Sequence, residues 1–437
     1  MKKPYGYKGD PLQSIYDRRA GYSRRREYLK KQRKAQKYRA KSIQSEYVSP
    51  FISRITGVEK EFSNSKRKKR ISISIPRCFS VIENPRGTLE ALISFLEETR
   101  INDTREYYFD HSSMKTYDLA AEVILDFFAT ELSNERNSLH RKKKTSIAGA
   151  CPTDDTIDRF IRGVGIIDKL GDERDKLKKK DKDKLVVFSQ KSTAYIEEVT
   201  SGASSLEENV NRDFVKHIND CLEKGGLKLN ARGEQKLGEY VGEVLDNIRE
   251  HSNEYNWHFA SYLDTASDKQ NCEIALFNFG QTFVQSMLNS KPYTQRIIAK
   301  HLEDLPPISE ADKECLLTRL ALQMNISSKN ENEKTSRGQG TIKLIEFFQK
   351  VYESAQSLGR YSSEQCKMAI LSGATHILFD GKYKIYFDEG LSCIAFNKEN
   401  SLTKPPDKDY VKNLPRAFPG TVISIKFPLG NEVIEAT

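Results

Sequence analysis

Hydrophobic residues recur with two different periods in the first half of the chain and predict alternating strands and helices. Residues 71–76, 106–110 and 145–150 have the short apolar patterns of strands. Amphipathic patterns with helical spacing follow them, at residues 88–99, 117–132 and 154–170. Strands and helices in alternation predict a small α/β domain over residues 71–171.

The second half of the chain predicts a larger domain. Helical patterns cover residues 205–232, 293–302 and 310–323, and a further helical pattern begins near Glu234. Buried strands are predicted at 272–279 and 420–429. Residues 172–184 are charged and lack apolar anchors, and a short strand is predicted at 185–188. We therefore expect an α/β protein of two or three domains, with a charged linker at 172–204 and an α+β sandwich at 205–437.

Two polar residues on the helix that begins near Glu234 could carry chemistry. Glu243 and Asn247 are four residues apart, so a helix places them on one face. A carboxylate and a carboxamide oxygen together suit a hydrated Mg²⁺, and the carboxylate could orient a water for attack on a phosphate. The same spacing is common on ordinary solvated helix faces, so the pair alone leaves both interpretations open.

The motifs around this pair resemble the GHKL ATPases, the family of gyrase, Hsp90, MutL, histidine kinases and anti-sigma-factor kinases. Glu243, Asn247 and the following His251-Ser252 resemble the family's N-box. The other motifs follow in the family's order: a strand with a glycine turn at 272–280, a second glycine turn at 336–341, and a closing Gly-Thr strand at 420–429. The resemblance covers residues 205–437 and implies a Bergerat-type domain that binds ATP and Mg²⁺.

The resemblance also implies a role for each matched residue. Glu243 is expected to be the general base for hydrolysis, and Asn247 to hold the Mg²⁺ that bridges the phosphates. Gly338 and Gly340 lack a Cβ, so their backbone can approach phosphates, and the helix behind them offers free N–H groups. Gly280 is expected to let the chain turn under the base. The other nucleotide-binding candidates are His251, Asn278, Arg337, Thr341 and, at the adenine edge, Thr421.

The first glycine motif departs from the family pattern, Asp-x-Gly-x-Gly. Asn278 stands where the family has the Asp that accepts a hydrogen bond from the adenine amino group, and the second glycine is absent. Asn can accept through its carbonyl oxygen, but it is uncharged and its amide can be oriented either way. Adenine selectivity is therefore less firmly indicated than phosphate binding.

A polar segment stands where the family has its ATP lid. Residues 325–335 lack apolar anchors, so we expect them to be mobile without ligand, with an ordinary loop as the alternative. Lys329, Lys334 and Arg337 are the candidates for reaching a γ-phosphate, and the sequence does not choose among them.

The α/β domain at 71–171 resembles the STAS domain of anti-sigma antagonists. The stretch from Asp110 to Ala121 keeps that family's Asp-x-Ser spacing and its later Asp. Leu119 and Ala121 stand where the family has its phosphorylatable Ser and a Gly. The resemblance therefore implies a domain that has lost the phospho-switch and serves as an interface for a protein partner.

Positive charge is concentrated at the start of the chain. Residues 1–70 hold 22 Lys and Arg against 6 Asp and Glu, a net +16; since the whole chain is +10, residues 71–437 sum to −6. We expect 1–70 to be a basic arm, partly disordered or helical. Basic side chains release counterions from phosphates and tyrosines stack on unpaired bases, so RNA or DNA is one expected partner. A solvated tail and a dock for acidic protein are the alternatives.

Composition argues against several other classes of protein. No apolar run approaches the length of a membrane span, and no apolar signal core follows the basic N-terminus. The seven cysteines are dispersed without a Cys-x-x-Cys motif, and the seven histidines show no zinc spacing. We expect a cytoplasmic protein with reduced thiols that does not bind membranes.

Three functions are compatible with these motifs. The first is an ATP-hydrolysing GHKL protein whose nucleotide state drives a lid or homodimer rearrangement. The second is a serine or histidine protein kinase of the anti-sigma-kinase type, and the third is a non-hydrolysing, nucleotide-gated scaffold for nucleic acid. The pairing of STAS-like and GHKL-like domains suggests a bacterial regulatory or antiviral defence protein.

Overall fold

The computed structural model describes most of the chain. The described residues are 48–57, 69–102, 104, 106–139, 145–165, 177–192, 203–223, 228–252, 257–266, 271–303, 305, 309–323, 340–357, 365–388 and 391–428. Most of the predicted basic arm, the predicted lid, Arg337 and Gly338 lie outside these residues.

Residues 48–165 form a small α/β layer, here called the N-terminal unit. Strands β1 (Ile71–Ser74), β3 (Glu106–Asp110) and β5 (Ser146–Ala150) make a parallel sheet in the order β1-β3-β5, while β2 (Cys78–Phe79) pairs with β4 (Thr116–Tyr117). The helices are α1 (Pro50–Thr56), α2 (Pro85–Ile101), α3 (Leu119–Leu139) and α4 (Asp155–Val164). Strand and helix alternate as the sequence predicts.

The described residues between 177 and 428 form a second layer around a five-stranded antiparallel sheet, here called the sheet unit. Its strand order is β6-β7-β8-β12-β9. The strands are β6 (Leu185–Ser192), β7 (Trp257–Asp264), β8 (Asn271–Phe279), β9 (Lys367–Phe379) and β12 (Val411–Pro428), and β10 (Tyr386–Asp388) pairs with β11 (Leu391–Cys393) outside the sheet. The edge strand β6 lies within the segment predicted to be a linker, which also contains the short helix α5 (Lys179–Lys182).

Three long helices cover one face of this sheet. They are α6 (Ala203–Glu223), α7 (Ala231–Ser252) and α11 (Gly340–Ser357), and α7 packs against both of the others. Three further helices lie between β8 and α11 in sequence: α8 (Phe283–Leu288), α9 (Pro292–Glu303) and α10 (Glu310–Ala321).

The N-terminal unit covers the opposite face of the sheet. Along β8, Ile274 and Leu276 belong to the core beneath the long helices, whereas Ala275, Phe277 and Phe279 belong to the core shared with α2 and α3. Side chains alternate between the faces of a strand, so a run that is apolar at every position is the pattern of a sheet buried on both sides.

Polar contacts also join the two units. Arg159 on α4 donates hydrogen bonds from Nε and Nη2 to one oxygen of Asp264 on β7, at 2.9 and 2.6 Å. Both side chains are buried, so the charges compensate each other in a poorly hydrated place. The backbone N–H of Leu119 donates to Glu273 at 2.8 Å, and Lys426 lies 3.0 Å from the other oxygen of that carboxylate.

The predicted elements agree with the observed ones in type, with some differences in extent. The N-box helix, the strand before the first glycine turn and the helix after the second are confirmed as α7, β8 and α11. The closing strand is longer than predicted because β12 continues back to Val411, across register shifts between Asn413 and Thr421. Helix α3 begins at Leu119 and extends to Leu139.

We expect Asp264→Ala to lower the free energy of unfolding by about 3–5 kcal/mol, because it leaves the Arg159 guanidinium buried without its partner. Asp158→Ala is the matched control, since Asp158 pairs with Arg162 on the same helix at a half-buried position. That change should cost less than about 1 kcal/mol. Urea unfolding measures both variants, and equal losses would contradict a supporting role for the inter-unit pair.

Stability in acid provides a second test of the interface between the N-terminal unit and the sheet unit, because a histidine is buried there. His376 on β9 donates from Nε2 to the Val81 carbonyl at 3.0 Å, and burial lowers its pKa to about 4. Below the ordinary pKa of about 6.5 the unfolded chain binds a proton that the folded chain does not, so stability falls as pH drops from 6.5 to 4. The loss from this one group is about 3 kcal/mol.

His376→Gln should remove that part of the pH dependence while keeping a donor for Val81. The measurement is urea unfolding of both proteins across this pH range. His217, whose pKa burial also lowers to about 4, acts in the same direction in both proteins, and Asp118, whose pKa burial raises to about 6, acts in the opposite one. Equal slopes for the two proteins would show that His376 does not contribute.

Candidate functional site

A row of polar side chains crosses the sheet where β8 ends. Asn278 lies opposite Thr421 on β12, and Thr421 is paired with Ser372 on β9. Asn278 Oδ1 accepts a hydrogen bond from the Thr421 backbone N–H at 2.9 Å, and the Thr421 and Ser372 hydroxyls are 2.9 Å apart. The three residues are buried, and each side chain has a partner, as buried polar groups require.

The hydrogen bond to Thr421 settles which way the Asn278 amide points. A backbone N–H can only donate, so the carbonyl oxygen of Asn278 faces it and the amide nitrogen is directed away. The carbonyl oxygen keeps a second lone pair, so the Asn278 side chain has both an acceptor site and N–H donors at this end of the sheet.

Glycine backbone surrounds the polar row. A Cβ at Gly420, where φ is +155°, would overlap the backbone carbonyl oxygen of Asn278. A Cβ at Gly373, where φ is +60°, would lie 2.7 Å from the Glu314 carboxylate. Glycine at 420 therefore lets β12 approach the backbone of β8, and glycine at 373 suits a left-handed backbone position beside α10. The turn itself is held by the Gly280 N–H, which donates to the Pro419 carbonyl at 3.2 Å.

The N-box residues are on the helix that leads into this end of the sheet. Glu243, Asn247 and His251 lie in α7, and their side chains are outside the described part of the structure. After Ser252, four residues connect α7 to Trp257, a span of at most about 19 Å between the two Cα atoms. Trp257 is the β7 residue paired with Asn278, so connectivity alone keeps the end of α7 near the polar row.

The second glycine turn is described only at its end. Gly340 begins α11, and Thr341 follows it in the first turn, where backbone N–H groups lack helical acceptors. Helix α11 packs against α7 and β12. The structure therefore brings together Asn278, Gly280 and Thr421 directly, and places the other described candidates on two adjacent helices.

Two features of the described residues mark this end of the sheet. The polar row is buried and hydrogen-bonded, and the backbone N–H groups in the first turn of α11 lack helical acceptors. Among the described residues, no group of three or more His, Cys, Asp or Glu could hold a metal ion. The Asn247 side chain, the expected Mg²⁺ ligand, is not among them.

Two features of this end of the sheet were not predicted from the sequence. Ser372 completes the polar row; its only sequence signal is a Ser-Gly pair that interrupts the apolar run of β9. A cleft of about 1020 Å³ lies between the units, lined by α1, α2, the glycine turn at 280–282, α8 and the β12 segment 415–419. It is made by segments far apart in sequence, so no local pattern could predict it.

Comparison of the chain with protein-family models, with curated proteins and with solved structures found no match. Within the described residues, no helix is both long and apolar enough to cross a membrane.

Proposed function

We propose that this protein is an ATP-binding, Mg²⁺-dependent ATPase of the GHKL type that acts as a nucleotide-driven switch in a bacterial regulatory or defence system. The observation that carries the proposal is the buried row of Asn278, Thr421 and Ser372 at the end of the sheet into which α7 leads. Asn278 and Thr421 are the two positions to which the resemblance assigns the base edge, and they lie together although they are 143 residues apart in sequence.

The resemblance gives each of these residues a role in the proposed activity. Asn278 and Thr421 bind the base edge, and the glycine backbone at Gly280 lets the ligand approach. Gly340 and Thr341 bind phosphate at the start of α11, and the resemblance gives Arg337 and Gly338, which lie outside the described residues, a part in the same contact. Bound Mg²⁺ would neutralise phosphate charge.

The N-box supplies the remaining groups. Glu243, Asn247 and His251 recur at intervals of four residues along α7, a spacing that places them on one helix face. Glu243 orients the attacking water and takes its proton, Asn247 provides an oxygen ligand for the metal, and His251 contacts the nucleotide.

The first test is nucleotide binding with and without the metal. The wild-type protein should bind ATP more tightly with Mg²⁺, and Asn247→Ala should abolish the difference because it removes the expected metal ligand. Gln235→Ala, an exposed position earlier on α7, is the matched control and should behave as wild type. Calorimetry measures the affinities, and no binding, or wild-type binding that ignores Mg²⁺, would overturn the proposal.

The second test is hydrolysis. Glu243→Ala should keep ATP binding and lose about 10²–10⁴-fold in turnover, the usual contribution of a general base. Glu239→Ala, an exposed carboxylate one turn earlier on α7, should keep full activity. Radiolabelled ATP separates the outcomes: released phosphate supports an ATPase, label on protein a kinase, and retained ATP a scaffold. Undiminished phosphate release by Glu243→Ala would show that the base lies elsewhere.

A further inference from the structure

The residue between Asn278 and Gly280 belongs to a different layer of the molecule. Phe279 is fully buried, and its ring lies in a cluster of aromatic side chains on the face covered by the N-terminal unit. It stacks on Phe127 of α3, with ring centroids 4.7 Å apart, and contacts Phe51 of α1 at 5.0 Å. Two elements of the N-terminal unit therefore hold the residue that joins the polar row to the glycine turn.

Helix α1 is itself firmly attached to the N-terminal unit. Its N-cap residue, Ser49, is fully buried and donates from its backbone N–H to Glu135 and from its hydroxyl to Glu131, each at 2.9 Å. Arg100 on α2 donates to the other oxygen of Glu135 at 2.6 Å and to the Ser53 hydroxyl at 3.2 Å. This network fixes α1 on α2 and α3, so the position of Phe51 is set by the N-terminal unit as a whole.

The glycine turn borders the cleft between the two units. Residues 280–282 line one wall of the 1020 Å³ cleft, and Arg54 and Ile55 of α1 line another. The cleft leaves room beside the turn for its backbone to shift, and the hydrogen bonds from the Gly280 N–H to Pro419 and from the Phe283 N–H to the Ser372 hydroxyl oppose such a shift. Strand alternation puts Phe279 and Asn278 on opposite faces, and one planar peptide bond links them, so a displacement of the Phe279 backbone is passed on to Asn278.

We propose that Phe51 and Phe127 are positioning residues for the nucleotide site: through Phe279, the N-terminal unit sets the geometry of residues 278–282 and thereby the affinity for nucleotide. This inference rests on the proposed function, because it assigns that site its regulation. The N-terminal unit then controls nucleotide affinity at a site in the sheet unit of the same chain.

The experiment compares three variants of the full-length protein, Phe51→Leu, Phe127→Leu and Phe95→Leu. Phe95 is the control: it is buried in the same unit, and its ring contacts are to Tyr107 and Phe109 rather than to Phe279. ATP affinity with Mg²⁺ is measured at a temperature where urea unfolding shows every variant to be folded. Phe51→Leu and Phe127→Leu should bind about fivefold or more weakly, the lower end of ordinary coupling between sites, and Phe95→Leu should bind as wild type.

Hydrogen exchange at residues 280–282 without nucleotide gives a readout that does not depend on ATP binding. The Gly280 N–H donates to Pro419 and the Thr282 N–H to the Gln285 side chain, so loosening of the turn should speed exchange at both amides. Faster exchange in Phe51→Leu and Phe127→Leu, but not in Phe95→Leu, supports the inference. Phe51→Met, which restores much of the lost volume, should return exchange and affinity toward wild type.

The two proposals fail in different ways. A wild-type protein that binds no nucleotide overturns the proposed function, and the regulatory role with it, while the exchange data still decide whether the N-terminal unit positions the turn. Wild-type binding with unchanged affinity and exchange in Phe51→Leu and Phe127→Leu overturns the inference and leaves the proposed function standing.

Discussion

The five-stranded sheet has two apolar faces, and the rest of the structure depends on covering both. Strand β8 is buried at almost every position, with alternate residues in two separate cores. Three helices of the sheet unit cover one face, and the N-terminal unit covers the other. The fold needs both the helices and the N-terminal unit, because an uncovered face would place a large aromatic and aliphatic surface in water.

This constraint explains why the segment predicted to be an interface packs within the chain itself. Leu119, where the STAS family has its phosphorylatable Ser, is buried at the start of α3, and its N–H binds Glu273 on the sheet. A residue in that position contributes to packing between the units. It also explains why consecutive residues at the end of β8 face different layers: Asn278 lies in the polar row, and Phe279 lies in the aromatic cluster of the N-terminal unit.

Many elements could be predicted in order and type because they depend on local patterns, whereas strands β7 and β9 were not predicted. Helix α7, strand β8 and helix α11 each have their own periodicity, and the glycine motifs mark the turns between them. The partnership of Asn278 with Thr421 follows only from the resemblance, and the third member, Ser372, had no motif to mark it. Pairing across a sheet joins residues distant in sequence, which a single sequence does not record.

The strand predicted at 185–188 is confirmed as part of β6, but its full extent, its place at the edge of the sheet and the cover over the back of the sheet were not predicted, for related reasons. The predicted linker was assigned from its charged residues 172–184, yet the short apolar run that follows pairs along β7 from Leu185 to Ser192. The continuous burial of β8 was visible as an unbroken apolar run, but the sequence did not reveal what covers its second face. The packing of α2 and α3 on the sheet depends on complementary shape, which is a property of the folded surfaces.

Photo-crosslinking with an azido-adenine nucleotide tests most directly whether the polar row is a nucleotide site. The account predicts Mg²⁺-dependent labelling of peptides that contain Asn278 to Thr282 or Thr421, abolished by excess unlabelled ATP. Labelling that ATP does not compete away, or that falls only on peptides of the N-terminal unit, would contradict it.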